Sequence, residues 1–184
     1  MKTEMIKDLK RKDLGEKFYK MGFKEGVEVG VCTGKNSEAL CKGNPDLHLT
    51  GVDPYDTVEL RSSRIGAEGQ EALYQEAIKR LKPYKFEMIR KSSMEAVLSF
   101  PYESLDFVYI DGGHEFDYVI CDIIEWGKRV KKGGIISGHD YYRFINGGVI
   151  LAVDTYCAIH KVETLYLTDD GRDKRSSWWF IKTW

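Results

Sequence analysis

The pairing of VEVGVCTGKNS at Val27–Ser37 with TGVDPY at Thr50–Tyr55 limits this chain more than anything else in it. A short apolar run carrying Glu28 opens at Gly30, Gly34 follows four positions on, and a second apolar run ends in Asp53. The pattern is that of a buried parallel strand, a glycine turn, a helix and a second strand that ends in a carboxylate. Gly30 and Gly34 remove the Cβ atoms that would hold a ligand off the backbone. Asp53, at the carboxyl end of its strand, is placed to accept two hydrogen bonds from a ribose diol. The pattern implies a nucleoside site.

The glycine spacing narrows the ligand. A dinucleotide fingerprint, GxGxxG, seats a pyrophosphate on a helix N-terminus. Here the spacing is GxxxG with Val31 after the first glycine, so that tight turn is missing and a nucleotide-dependent oxidoreductase is disfavoured. A phosphate-binding Walker loop needs four residues before GK and then Ser or Thr. GVCTGKN offers three and then Asn36, which removes Lys35 as a phosphate lysine.

The remaining pattern alternates strands with helices. Strands are expected at Val27–Gly30, Leu47–Val52, Lys85–Arg90, Leu105–Ile110 and Ile135–Ser137, with KKGG at 131–134 as the turn into the last of these. Helices are expected over 3–20, around Ser37–Lys42, over 70–82, at Met94–Leu98, over 115–128 and over 148–160. In the fifth of these, Phe116, Val119, Ile120, Ile123 and Ile124 follow the spacing of a helix laid on a sheet. Thr164–Thr168 and Trp178–Lys182, joined by a polar loop, read as a closing hairpin. The segment 56–69 is polar and glycine-punctuated and is expected to act as a mobile lid. Its Arg61 and Arg64 read as solvated.

At 184 residues the chain is expected to form one domain, 1–184, with residues 1–22 as a helical extension. A net charge of −1 with interspersed signs argues against a nucleic-acid partner, and no apolar run is long enough for a membrane span. The polar first residues lack a signal core, which points to the cytoplasm. Cys32, Cys41, Cys121 and Cys157 have no CxxC spacing and read as reduced thiols.

With its ExGxxxG motif and the acidic end of the next strand, the chain resembles the class I S-adenosylmethionine-dependent methyltransferases. The resemblance extends over IDGGH at 110–114 and GHDY at 138–141, segments similar to those of a small-molecule O-methyltransferase subgroup. It implies a Rossmann-like, mostly parallel seven-stranded sheet with an antiparallel C-terminal hairpin strand and helices on both faces. The implied cofactor is S-adenosylmethionine, released as S-adenosylhomocysteine (SAH). It would be bound by Glu28, Gly30, Cys32, Thr33, Gly34, Ser37, Asp53, Pro54, Tyr55, Ser92, Ser93, Met94, Asp111 and His114.

The same resemblance sets out a reaction. In metal-dependent relatives one Asp ends the fourth strand and two adjacent polar residues end the fifth, which makes Asp111, His139 and Asp140 the expected ligands of Mg²⁺ or a similar divalent ion. His114 stands where those relatives place a base, so Asp111 and His114 are the expected catalytic pair. A nearby cation would keep the His114 imidazole neutral. A metal and a base suit O-methylation of a hydroxyl on a sugar or natural-product-like molecule, because an alcohol attacks poorly until its proton is removed. A carboxylate or thiol acceptor would need neither. The alternative reading is a non-catalytic protein that binds S-adenosylmethionine. The expected partner is a small-molecule acceptor, and a homodimer is the assembly such a fold allows.

Overall fold

The computed structural model describes residues 1–56, 66–142, 147–170 and 175–184. In chain order the elements are β1 (Lys2–Ile6), α1 (Leu14–Lys20), β2 (Glu25–Val29), α2 (Lys35–Gly43) and β3 (His48–Val52). They continue with α3 (Ala67–Leu81), β4 (Phe86–Ile89), α4 (Ser93–Ala96), β5 (Leu105–Ile110) and α5 (Phe116–Arg129). The last are β6 (Val130–Tyr141), α6 (Gly148–Ile159), β7 (Thr164–Thr168) and β8 (Ser176–Ile181). Short 3-10 turns cover Arg11–Asp13 and Val97–Ser99.

The strands form one sheet in the order β1-β7-β8-β6-β5-β2-β3-β4. β8 runs antiparallel to both of its neighbours, and every other pairing is parallel. From β2 the chain builds outward to β3 and β4, then returns to the other side of β2 for β5 and β6. That reversal splays the loops that leave β2 and β5 and opens a crevice at their carboxyl ends, the usual ligand position in such sheets.

Side-chain alternation divides the core between the two faces. Along β5, Val108 and Ile110 join Val119, Ile123 and Trp126 of α5 and Ala152 and Val153 of α6. Phe107 and Tyr109 point the other way, to Leu14 and Phe18 of α1 and Leu40 and Cys41 of α2. Both faces are therefore covered, which is why β5 reads as an almost continuous apolar run. Val119, Ile123 and Trp126 fall at i, i+4 and i+7 and are all buried. Burying a side chain such as Ile123 stabilises the fold by about 1.5–3 kcal/mol.

Two sequence expectations are corrected. The helix expected over 3–20 begins only at Leu14; residues 2–6 instead form an eighth strand, parallel to β7. Leu14 and Phe18 are the buried stripe that holds the helix to the sheet, whereas β1 lies at the sheet edge with mostly exposed side chains and is fixed by backbone pairing. The expected turn at 131–134 lies inside a longer strand. There Gly133 takes φ +84°, and Gly133 and Gly134 exchange backbone hydrogen bonds with Lys182. Most of the expected lid, including Arg61 and Arg64, lies outside the described residues.

Cys41 and Cys157 are buried, with both thiols pushed up to about 12 by burial, and all four cysteines are free thiols. Among the described residues no helix is long and apolar enough to cross a membrane.

Candidate active site

The crevice at the carboxyl ends of β2 and β5 holds a cavity of roughly 430 Å³. Of the residues expected to bind the cofactor, Gly30, Cys32, Asp53, Pro54, Ser92, Ser93, Met94 and Asp111 line it. Glu28, Thr33, Gly34, Ser37 and Tyr55 do not; they build the turn beneath. His114 and His139 line a small adjoining crevice whose wall is shared through Asp111, Gly112 and Gly113.

The glycine turn is organised from inside. Asp53 Oδ2 accepts the backbone N–H groups of Val31 and Cys32, each at 2.9 Å, and Oδ1 accepts that of Tyr55 at 2.9 Å. A carboxylate offers about four lone pairs. Three are used here, which leaves Asp53 one lone pair. Tyr55 is fixed by its hydroxyl, which donates to the Cys32 carbonyl at 2.8 Å. The Thr33 carbonyl accepts from Arg80 Nε at 2.9 Å.

The glycines serve a different purpose from the one the sequence suggests. Gly30 takes φ +86°, and a Cβ there would strike the Asp111 backbone, not a ligand. Gly34 takes φ +74° as the N-cap of α2, with the Leu81 side chain where a Cβ would go. Left-handed backbone and close packing require glycine at both positions.

Glu28 is fully buried under this turn. It accepts from Asn36 Nδ2 at 2.8 Å and from the Ser37 hydroxyl. Burial pushes its carboxyl up to about 7, against the pull of Ser37, Asn36 and Arg11.

Four polar side chains meet at the other rim. One ligand atom each from Asp111, His139 and Asp140 lies within 4.8 Å of the others. His139 Nδ1 is 3.8 Å from Asp111 Oδ1 and 3.2 Å from Asp140 Oδ1. Asp140 Oδ1 is buried without a well-formed hydrogen bond. The second oxygens are engaged elsewhere: Asp111 Oδ2 pairs with Arg11, and Asp140 Oδ2 lies 2.6 Å from His114 Nε2. Two carboxylate oxygens and an imidazole nitrogen thus converge, a donor set that fits a divalent cation. Asp140 holds φ +55°, a strained conformation of the kind that gathers at functional sites.

The charges in this cluster are interdependent. Burial raises the Asp111 carboxyl, Arg11 and His139 oppose that rise, and Asp140 adds to it. Burial also pushes the Asp140 carboxyl up, but the hydrogen bond with His114 and the close approach of His139 outweigh it, so it ends below the ordinary range. The hydrogen bond to Asp140 raises the His114 pKa, against burial. The nearest charged partner of His114 is thus a carboxylate, which makes the imidazole a stronger base.

The sequence reading missed two groups. Glu115, Asp117, Tyr118, Cys121 and Asp122 line the cavity from the entry to α5 and its first turns. The spacing of Asp117, Tyr118, Cys121 and Asp122 on one helical face was a usable signal. Arg11 had none, since its contact with Asp111 spans 100 residues.

Comparison with known proteins agrees with this geometry. A family model described as a methyltransferase domain matches residues 27–141. The uncharacterized protein R132 of Acanthamoeba polyphaga mimivirus is 23% identical over 121 residues, covering 62% of this chain and 50% of that protein. The chain thus spans about half the length of the curated relative it matches. Among solved structures, cofactor-bound Rv0187 from MTB is 13% identical with a TM-score of 0.69, covering 94% of this chain and 79% of that one. An O-methyltransferase from Bacillus cereus in complex with SAH is 15% identical with a TM-score of 0.67, covering 94% and 80%. These two likenesses establish a shared Rossmann-like methyltransferase fold.

Proposed function

Because the chain belongs to the methyltransferase-domain family, we propose that it is an S-adenosylmethionine-dependent O-methyltransferase acting on a small-molecule hydroxyl. The acceptor is sugar-like or natural-product-like, and a divalent cation assists. The observation that carries this reading is the His114–Asp140 pair, set beside Asp111 and His139 at the rim of the cavity.

The cofactor supplies an electrophilic sulfonium methyl group, so the protein's task is to position the acceptor and deprotonate it. Asp53 receives a ribose hydroxyl, Ser92, Ser93 and Met94 border the adenine, and the Gly30–Cys32 backbone lies beneath the amino-acid tail. Gly112, where a Cβ would have only Val29 in contact range among the described residues, leaves the ligand room to approach. His114 accepts the hydroxyl proton, and Asp140 stabilises the imidazolium that results. Asp111, His139 and Asp140 would hold the cation, which lowers the pKa of the acceptor hydroxyl.

The test uses S-adenosylmethionine with a labelled methyl group and a panel of hydroxylated sugars and phenols. Label should move to hydroxyl oxygen, and excess EDTA should abolish transfer while SAH binding persists. Transfer only to amines or carboxylates would overturn the assignment, and full activity in EDTA would remove the metal from it.

A further inference from the structure

The methyl-transfer reading leaves Arg11 without a task, although the fold places it in the site with care. β1 pairs with β7, and beyond both strands the Asp169 N–H donates to the Leu9 carbonyl at 2.8 Å. The Arg11 backbone N–H donates to Asp170 Oδ1 at 2.8 Å. The side chain then reaches across the sheet end. Nε donates to Asn36 Oδ1 at 2.7 Å, Nη2 pairs with Asp111, and the guanidinium lies 5.3 Å from the centre of the Tyr109 ring. Asn36 is held in turn by Glu28. Among the described residues Nη1 has no hydrogen-bond partner, and the side chain is 27% exposed. Half of a rigid fork holds the group in place, and the other half is open.

The charge of the cavity indicates what would meet the open half. Its described lining includes Asp53, Asp111, Glu115, Asp117 and Asp122, and neither lysine nor arginine. A sulfonium or an ammonium is at home in that field, whereas a carboxylate needs a cation at its edge. Arg11 is the cation that an ion pair ties to the wall.

Sheet order indicates where that carboxylate would arrive. Four neighbouring strands, β4, β3, β2 and β5, present Ser92–Met94, Asp53, Gly30 and Asp111 in that sequence across the cavity. A ligand with adenine on the first and ribose on the second lays its amino-acid tail over Gly30 towards Asp111. Arg11 stands there. Resting on the cofactor reading above, we propose that Arg11 receives the α-carboxylate of the cofactor's amino-acid part through Nη1. Asp111 then serves both to orient Arg11 and to attract the adjacent ammonium.

Calorimetry on the full chain tests this with three ligands: SAH, its decarboxylated analogue, and 5′-methylthioadenosine, which lacks the amino-acid part. Wild type should bind the decarboxylated analogue roughly 10- to 100-fold more weakly than SAH, the scale of a lost charge-assisted hydrogen bond. Arg11→Gln should lose a similar factor for SAH and less than about threefold for 5′-methylthioadenosine. Arg11→Lys, which keeps the charge without the fork, should fall between. An equal loss for both ligands in Arg11→Gln, or wild-type affinity that ignores the carboxylate, would overturn the role. The wild-type arm needs no variant to fold. Absence of SAH binding by wild type would instead bring down the cofactor reading itself.

Discussion

Glu28 sits in a fully buried position with its carboxyl pushed up to about 7, and this has a measurable thermodynamic signature. Between pH 4.5 and about 7 the folded chain keeps a proton that the unfolded chain has released. The unfolded state therefore binds fewer protons, and stability falls as pH rises through that window. The loss is on the order of 3 kcal/mol, complete above the folded pKa. Glu28→Gln stays neutral and should lack this slope. Urea unfolding at pH 5 and pH 8 should show wild type losing more stability than the variant, and parallel losses would refute the buried-acid account. His114 makes a second residue-scale case. His114→Gln preserves size but removes the base, and should slow methyl transfer by about 10²–10⁴-fold. SAH affinity should stay within about threefold; an unchanged rate would show that His114 is not the base.

The turn between β2 and α2 is the element on which the site depends. Gly30→Ala would force a Cβ into the Asp111 backbone at φ +86°. The left-handed strain alone is about 1–2 kcal/mol, before any shift of β5 away from β2. Thermal unfolding should show a marked drop in midpoint together with loss of SAH binding; a neutral outcome would contradict the close approach of the two strands. The existence of this turn was legible in the sequence, but its cause was not. Spacing reveals that glycine is needed, whereas only the fold shows that Asp111 stands where the Cβ would go. β5 and α5 were legible because a doubly buried strand reads as an unbroken apolar run and a packed helix repeats every three or four residues. β1 was not, because it is an exposed edge strand held by backbone bonds to residues 164–168. The convergence of Asp53, Asp111, His139 and Asp140 could be foreseen, since each lies at or near the carboxyl end of one of the mutually parallel strands of one sheet. Arg11 could not, because β1 and the 3-10 turn that place it carry no local signal.

On the scale of the whole molecule, one reversal of strand order assembles the site. It places a glycine turn and Asp53 at one cavity and the Asp111–His139–Asp140 cluster at its rim and adjoining crevice, with the N-terminal segment supplying Arg11 from outside the matched family region. A ligand that spans four strands should stabilise all of them together. SAH at 100 times its dissociation constant should add about 2.7 kcal/mol of stability, which for a chain of this size is a rise of several degrees in the unfolding midpoint. The most direct measurement is a calorimetric titration of the intact chain with SAH and, separately, with NAD⁺. The account predicts saturable one-to-one binding of SAH, at least tenfold weaker in folded Asp53→Ala, and no heat from NAD⁺. Binding of NAD⁺ without SAH, or an affinity for SAH indifferent to Asp53, would contradict it.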